Sequence, residues 1–254
     1  MTDSLQITPT ERVWTLTLNR PTAANAFNNE LYLGLANTIR EGTASKECRA
    51  MVLTGAGNSF CAGQDLSEMA PEAIGDEIGF EKLIDALSEC DTPIIAAVNG
   101  VALGIGVTML FYVDVAFVSP RARFKCPFLP LGVVPEAASS YTLPLLMGRQ
   151  KAAEFLYTSR WMDAHEAVQN GLALRVVDDA QLLDEAMQLA RSISELPPKA
   201  VSATKRLIRE PYANAVKRAR DAENEAFRER FGSAENREAI AAFFEKRKPD
   251  FSSF

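Results

Sequence analysis

Glu136 stands in Leu131-Gly-Val-Val-Pro-Glu136-Ala-Ala-Ser-Ser, a single carboxylate among apolar and small residues. Such surroundings disfavour the ionised form and raise the pKa toward the range in which a carboxyl group moves protons at neutral pH. Two further segments, Phe60-Cys-Ala-Gly-Gln-Asp-Leu66 and Asn99-Gly-Val-Ala-Leu-Gly-Ile-Gly106, turn sharply after apolar runs. Turns of this kind can aim backbone N–H groups at one point. A base opposite two converging donors is the minimum equipment for making and holding an enolate. The residues also admit plainer roles. Following Pro135, Glu136 suits the first turn of a helix, where an acid complements the dipole. Gly63 and Gly104 can equally serve tight turns with no ligand near them.

Other chemistries are poorly supplied. The four cysteines at 48, 61, 90 and 126 form no C-x-x-C pair and read as reduced, buried thiols. The only histidine, His165, lies in Asp163-Ala-His-Glu166, which reads as a capped helix start ending at Gly171. It is a surface residue on that reading, and one histidine leaves no His-based zinc cluster. No metal is expected. Gly104-Ile-Gly106 follows an apolar run, but Met109 stands where a dinucleotide fingerprint needs its third glycine, and no phosphate-binding G-x-x-x-x-G-K-[ST] loop is present. Carboxylates and backbone groups are left to carry the chemistry.

The elements that must hold these groups alternate. Val13–Leu18 reads as a half-buried strand, Ala26–Ile39 as a helix with Asn25 as a possible cap, and Ala50–Leu53 as a buried strand. Pro71–Gly79, punctuated by Pro and Gly, reads as a mobile loop before a helix starting at Phe80. Ile94–Val98 is an apolar strand, Gly104–Phe111 a buried helix, and Asp114–Val118 and Ala173–Val177 are further strands. Strands alternating with helices indicate an α/β fold. Strand signals stop at Pro197-Pro198. Beyond them Ala200, Val201, Thr204, Leu207 and Ile208 share one helical face, as do Val216, Ala219, Ala222 and Ala226. Residues 1–197 are therefore a core domain and 198–254 a helical region, suited to packing on a neighbouring subunit or on its own core.

The chain has 254 residues and a net charge of −6, which argues against a nucleic-acid partner. No apolar run reaches membrane-span length, and no secretory or peroxisomal signal is visible, so a cytoplasmic protein with no membrane partner is expected.

The segments quoted above, with Leu18-Asn-Arg-Pro-Thr-Ala-Ala-Asn-Ala26, Ala164-His-Glu-Ala-Val-Gln-Asn-Gly-Leu172 and Ala242-Phe-Phe-Glu-Lys-Arg-Lys-Pro-Asp-Phe251, resemble the crotonase superfamily of enoyl-CoA hydratases and isomerases. The resemblance covers nearly the whole chain. It implies a spiral of repeated β-β-α units with a C-terminal helical trimerisation region, assembled as a homotrimer or a dimer of trimers. It also implies an acyl-CoA thioester as substrate, no cofactor, and an enolate held by the N–H groups of Gln64 and Ile105. The second of these positions is commonly glycine in the family, so Ile105 would bring bulk into the site. CoA would be held by Ala24, Ala62, Gln64, Leu66, Phe243 and Lys246. Met69, Met109, Phe128 and Trp161 would line an acyl pocket.

The hydratases of the family use two glutamates. Their positions correspond to Thr108 and Phe128 here, neither of which activates water well. Glu136 instead matches the single acid/base of the peroxisomal-type Δ3,Δ2-enoyl-CoA isomerases. The resemblance thus implies isomerisation of a 3-enoyl-CoA to the 2-enoyl-CoA within fatty acid metabolism. Hydration, dehalogenase- or hydrolase-type chemistry and non-catalytic CoA binding are the alternatives.

Overall fold

The computed structural model describes residues 4–68 and 79–254. Among these, strands β1 (Leu5–Thr10) and β2 (Val13–Leu18) form a hairpin, followed by helix α1 (Asn29–Ala44). Three two-strand units come next: β3 (Ala50–Gly55) with β4 (Ser59–Cys61) and helix α2 (Gly79–Glu89), β5 (Ile94–Val98) with β6 (Val101–Leu103) and helix α3 (Ile105–Thr108), and β7 (Val115–Val118) with β8 (Arg123–Lys125) and helix α4 (Ser139–Met147). Helix α5 (Arg149–Thr158), β9 (Met162–Asp163), α6 (Ala164–Gln169), β10 (Arg175–Val176) and α7 (Leu182–Ser194) complete the core, and α8 (Pro198–Arg230) and α9 (Ala234–Phe244) end the chain.

The first strand of each unit joins a six-stranded sheet ordered β1-β2-β3-β5-β7-β10, and the second joins a four-stranded sheet ordered β4-β6-β8-β9. Neighbours within each run pair in parallel, except β1 with β2 and β8 with β9. The chain therefore winds as a spiral, each turn contributing one strand to each sheet. This is the β-β-α architecture expected from the sequence.

The central strands are buried on both faces, which is why Ala50–Leu53 and Ile94–Val98 read as continuous apolar runs. Val13, Ala50, Val52, Ile95, Ala97 and Phe117 face Leu182, Ala186, Met187 and Ala190 of α7. The alternate residues Leu16, Leu18, Met51, Leu53, Ala96 and Val98 enter the main core with α1 and α2.

Several boundaries differ from the sequence reading. Helix α1 begins three residues later than expected, and its cap is Asn28, whose side chain accepts from Leu31 N–H. Asn25 is instead fully buried in a left-handed conformation (φ 59°). The helix expected over Gly104–Phe111 is α3 followed by a 3₁₀ turn, Met109–Phe111. The strand expected over Ala173–Val177 narrows to β10. Strand β1 escapes detection because it is an edge strand containing Pro9, and β4, β6, β8 and β9 are too short to show a period. The loop expected over Pro71–Gly79 falls outside the described residues up to Gly79, which opens α2.

Helix α8 docks on the core through the second of the two expected apolar faces, with Val216 buried in the main core and Ala219 packed against it, and through polar groups. Lys205 Nζ donates to Thr92 O and Asp114 Oδ2, at 2.9 and 2.8 Å. Arg209 reaches Cys90 O and Asp91, and Arg220 bridges Glu81 and Asp85 of α2. Leu207 and Ile208 are 75% and 67% exposed. No helix among the described residues is long and apolar enough to cross a membrane.

Candidate active site

The donor side of the site is built from two abutting turns. After β4, Gly63 takes φ +88° and its carbonyl accepts from Phe27 N–H at 2.7 Å, while Asp65 N–H donates to Phe27 O at 2.9 Å. This is a parallel bridge between Phe27 and Gln64, in which the flanking residues carry the hydrogen bonds. The N–H of Gln64 itself is thus directed away from Phe27. After β6, Gly104 (φ +49°) caps α3, so the N–H of Ile105 is the first donor of a helix whose own ladder starts two residues on, with Val107 N–H on Gly104 O. A Cβ on Gly106 would lie 2.7 Å from Cys61 O, and a Cβ on Gly63 would lie 3.1 Å from Leu103 O. Glycine at both places lets the two turns touch.

Two asparagines fix the turn over residues 55–59 that leads into β4. Asn25 Nδ2 donates to Ala56 O and Ser59 O, and Asn99 Nδ2 to Gly55 O and Gly57 O, while Asn99 Oδ1 accepts from Gly55 N–H. Arg20 ties the loop after β2 to the Gly63 turn through Asp65 at 2.9 Å. Burial would raise the Asp65 pKa, but hydrogen bonds from Ser67 and Arg20 outweigh it and hold the carboxyl below its usual range. Sequence reading assigned no such role to Asn99 or Arg20, although both lie within the motifs that carried the resemblance.

The base side lies across α3. Thr108 Oγ1, one helical turn after Ile105, donates to Glu136 Oε1 at 2.9 Å. With a rise of ~1.5 Å per residue, about 4.5 Å of one short helix separates the donor at its start from the side chain holding the carboxylate. Glu136 is half-buried, and burial pushes its pKa up to about 8. The Thr108 hydrogen bond opposes that rise, and the charges of Glu223 and Glu81 add to it. Glu136 lies outside α4, two residues before its cap, so the helix-first-turn placement does not hold. The raised pKa follows because the residue gains burial without a place among the first-turn N–H groups. Cys61 is pushed up to about 12 by burial, and Cys126 rises well above its usual value, so both thiols stay protonated beside the carboxyl.

Backbone geometry after Glu136 is costly. Ala137 and Ala138 both have left-handed φ, at 56° and 62°. Each such alanine costs roughly 1–2 kcal/mol relative to ordinary backbone. Helix α4 has no capping side chain of its own at Ala138. Instead Glu223 of α8, 6% exposed, accepts from Ala138 N–H at 2.6 Å and from Ser140 N–H at 2.7 Å. Tyr112 Oη donates to Ala137 O at 2.9 Å.

The other expected site residues are distributed as follows. Ala24 O accepts from Ala62 N–H at 3.0 Å, so these two backbone positions meet beside the Gln64 turn. Leu66 opens the 3₁₀ turn after it and is half-buried. Ile105 is 2% exposed, its side chain packed in the main core. Met109 and Phe128 are also buried in that core. Trp161 is 42% exposed, with Lys125 Nζ 5.5 Å from its ring centroid. Phe243 and Lys246 are exposed at the end of α9 and are not brought to the turns within this chain. Met69 lies outside the described residues. Among the described residues no cluster of acidic, histidine or cysteine side chains is arranged to hold a metal ion.

A family model described as enoyl-CoA hydratase/isomerase matches residues 8–253. The chain is 34% identical to a 1,2-epoxyphenylacetyl-CoA isomerase from Escherichia coli, over 94% of this chain and 95% of the relative. It is 33% identical to a 2,3-dehydroadipyl-CoA hydratase from the same organism, over 95% of each. The crystal structure of an enoyl-CoA hydratase/isomerase from Pseudoalteromonas atlantica superposes with a TM-score of 0.94 at 41% identity, covering 98% of this chain and 100% of that one. The chain belongs to the enoyl-CoA hydratase/isomerase family of the crotonase superfamily.

Proposed function

We propose that the protein isomerises a 3-enoyl-CoA to the conjugated 2-enoyl-CoA with Glu136 as sole acid and base. Glu136 removes a proton from C2 of the thioester. The C2–H electron pair delocalises into the carbonyl, giving a dienolate whose oxygen is held by the N–H groups of Gln64 and Ile105. Glu136 then delivers the same proton to C4, and the double bond comes to rest between C2 and C3. No atom is gained or lost, so neither a water nor a redox partner is consumed.

The observation that carries this reading is the composition around Glu136. Among the described residues Thr108 donates the side-chain hydrogen bond that Glu136 receives, and Thr108 and Phe128 stand at the two positions where the sequence resemblance puts the hydratase glutamates. A single carboxylate with a pKa near 8 suits a proton shuttle, because it can both take and return a proton near neutral pH. One similar protein is named an isomerase and another a hydratase, so hydration is the competing reaction. The test is a panel of trans-3-hexenoyl-CoA and crotonyl-CoA, followed by conjugated-enoyl absorbance and product chromatography. Isomerisation well above hydration is expected. A hydration rate matching isomerisation under the same conditions would overturn the assignment.

The exposed apolar side chains Leu207, Ile208 and Tyr212 of α8 and Phe243 and Phe244 of α9 support assembly into a homotrimer or a dimer of trimers. In that assembly Phe243 and Lys246 would reach the CoA of a neighbouring site.

A further inference from the structure

We infer that Glu223, far along the C-terminal helix α8, is a positioning residue for Glu136: its carboxylate clamps the left-handed Ala137-Ala138 backbone that aims the base at the substrate. The inference rests on the proposed role of Glu136. Three observations carry it. Both oxygens of Glu223 are spent on N–H groups of the turn, Ala138 and Ser140, and the side chain is almost wholly buried. The turn it holds carries two consecutive alanines at φ 56° and 62°, which would relax to ordinary backbone if released. Glu136 immediately precedes them, so relaxation at 137 and 138 swings the carboxyl away from Thr108.

The clamp is itself anchored. Arg220, one turn earlier on α8, is fixed by Glu81 and Asp85 of α2 at 2.8 Å each. Tyr112 holds the Ala137 carbonyl from the 3₁₀ end of the α3 segment. Elements from three parts of the chain thus converge on a turn of three residues. Burial raises the Glu223 pKa, while the N–H donors of Ser140 and Ala138 and the Arg220 charge favour its ionised form. The groups facing Glu136 are Glu223 and Glu81, the Cys61 and Cys126 thiols, the Tyr112 phenol and the Thr108 hydroxyl. Those facing Glu223 are Arg220, Tyr112, the Ser140 hydroxyl and Glu136 itself.

Glu223→Gln tests this in the full chain. An amide supplies one acceptor and sets its NH₂ against the other N–H. The expected result is a kcat lower by roughly tenfold or more, as for a displaced catalytic group, with KM nearly unchanged. Loss of the neighbouring negative charge also moves the Glu136 limb of the pH profile to lower pH. Adding Ala138→Gly should restore much of kcat, because glycine adopts φ near +60° without a clamp. A purely architectural Glu223 would lower the melting temperature and leave kcat per folded site at the pH optimum where it was. That result overturns the inference, as does failure of Ala138→Gly to rescue. If Glu223→Gln alone does not fold, an active Glu223→Gln/Ala138→Gly protein supports the clamp, and a double variant that also fails to fold refutes it. Glu136→Gln run in parallel separates the two claims. An active Glu136→Gln sinks the role of Glu136, whereas an inactive one beside a normal Glu223→Gln sinks only the clamp.

Discussion

The donor turns and the base turn meet across α3, yet they are held differently. At Gly63 and Gly104 the backbone takes left-handed or unusual conformations with glycine, and the stabilising contacts are backbone hydrogen bonds with nearby Phe27 and Lys125. At Ala137 and Ala138 it takes left-handed conformations without glycine, and the hold comes from residue 223. The first arrangement removes strain by composition. The second keeps strain and restrains it from a distance, which couples the aim of Glu136 to the docking of α8. On the proposed mechanism a donor need only be placed, whereas a base that both takes and returns a proton benefits from a backbone that cannot relax.

This contrast ranks substitutions. Among substitutions that act through the turns, Gly106→Ala should be the most damaging, because its new Cβ meets Cys61 O at 2.7 Å and forces the two donor turns apart. Misplacing an oxyanion donor costs about 10²–10³ in rate, roughly 3–4 kcal/mol. Steady-state kinetics should show that fall in kcat with an unchanged far-ultraviolet circular dichroism spectrum; a rate near wild type would mean that these turns do not hold the oxyanion.

Thr108→Val should have an intermediate effect. The activity of a general base rises with pH as it ionises, so kcat/KM should climb through about pH 8 in the wild type. The Thr108 hydrogen bond favours the ionised carboxyl, and a bond to a charged group contributes about 1.5–3 kcal/mol, or one to two pH units. Its removal should therefore move the limb upward, opposite to the shift expected for Glu223→Gln, and lower the rate at pH 7 by about tenfold or more. A limb that stays in place would show that Thr108 does not bear on ionisation of Glu136.

Ala138→Gly alone should have the smallest effect, within about twofold of wild type, since Glu223 already holds the conformation that glycine permits. A large loss there would mean that the alanine methyl group itself packs against substrate.

The difference between the two regions also explains what was legible beforehand. The Gly63 and Gly104 turns announce themselves, because glycine after an apolar strand is a local signal. Glu136 could be singled out as an unusual carboxylate. The central strands were legible because burial on both faces writes a continuous apolar run. The clamp left no such mark. Glu223 lies in a stretch rich in charge, where a solvated helix is the natural reading, and Ala137-Ala138 reads as good helix. Helix α8 was legible in part. Periodicity found the Val216 and Ala219 face that packs on the core, but α8 also meets the core through Lys205, Arg209, Arg220 and Glu223, and leaves Leu207 and Ile208 of the other face exposed. Contacts of this kind depend on which distant groups fold brings opposite, and no local pattern encodes them. Asn25 shows a milder form: it resembles a helix cap in sequence, yet its amide is consumed by carbonyls more than thirty residues away.

The claim on which the rest depends is that one carboxylate moves the proton both ways. The direct measurement is the isomerisation rate of trans-3-hexenoyl-CoA by Glu136→Gln at pH 8, beside the wild type. Glutamine preserves shape and can still accept from Thr108, so folding and CoA binding should persist. The rate should fall by about 10²–10⁴, the usual contribution of a general acid–base group. A variant that keeps isomerising within tenfold of wild type would contradict the account.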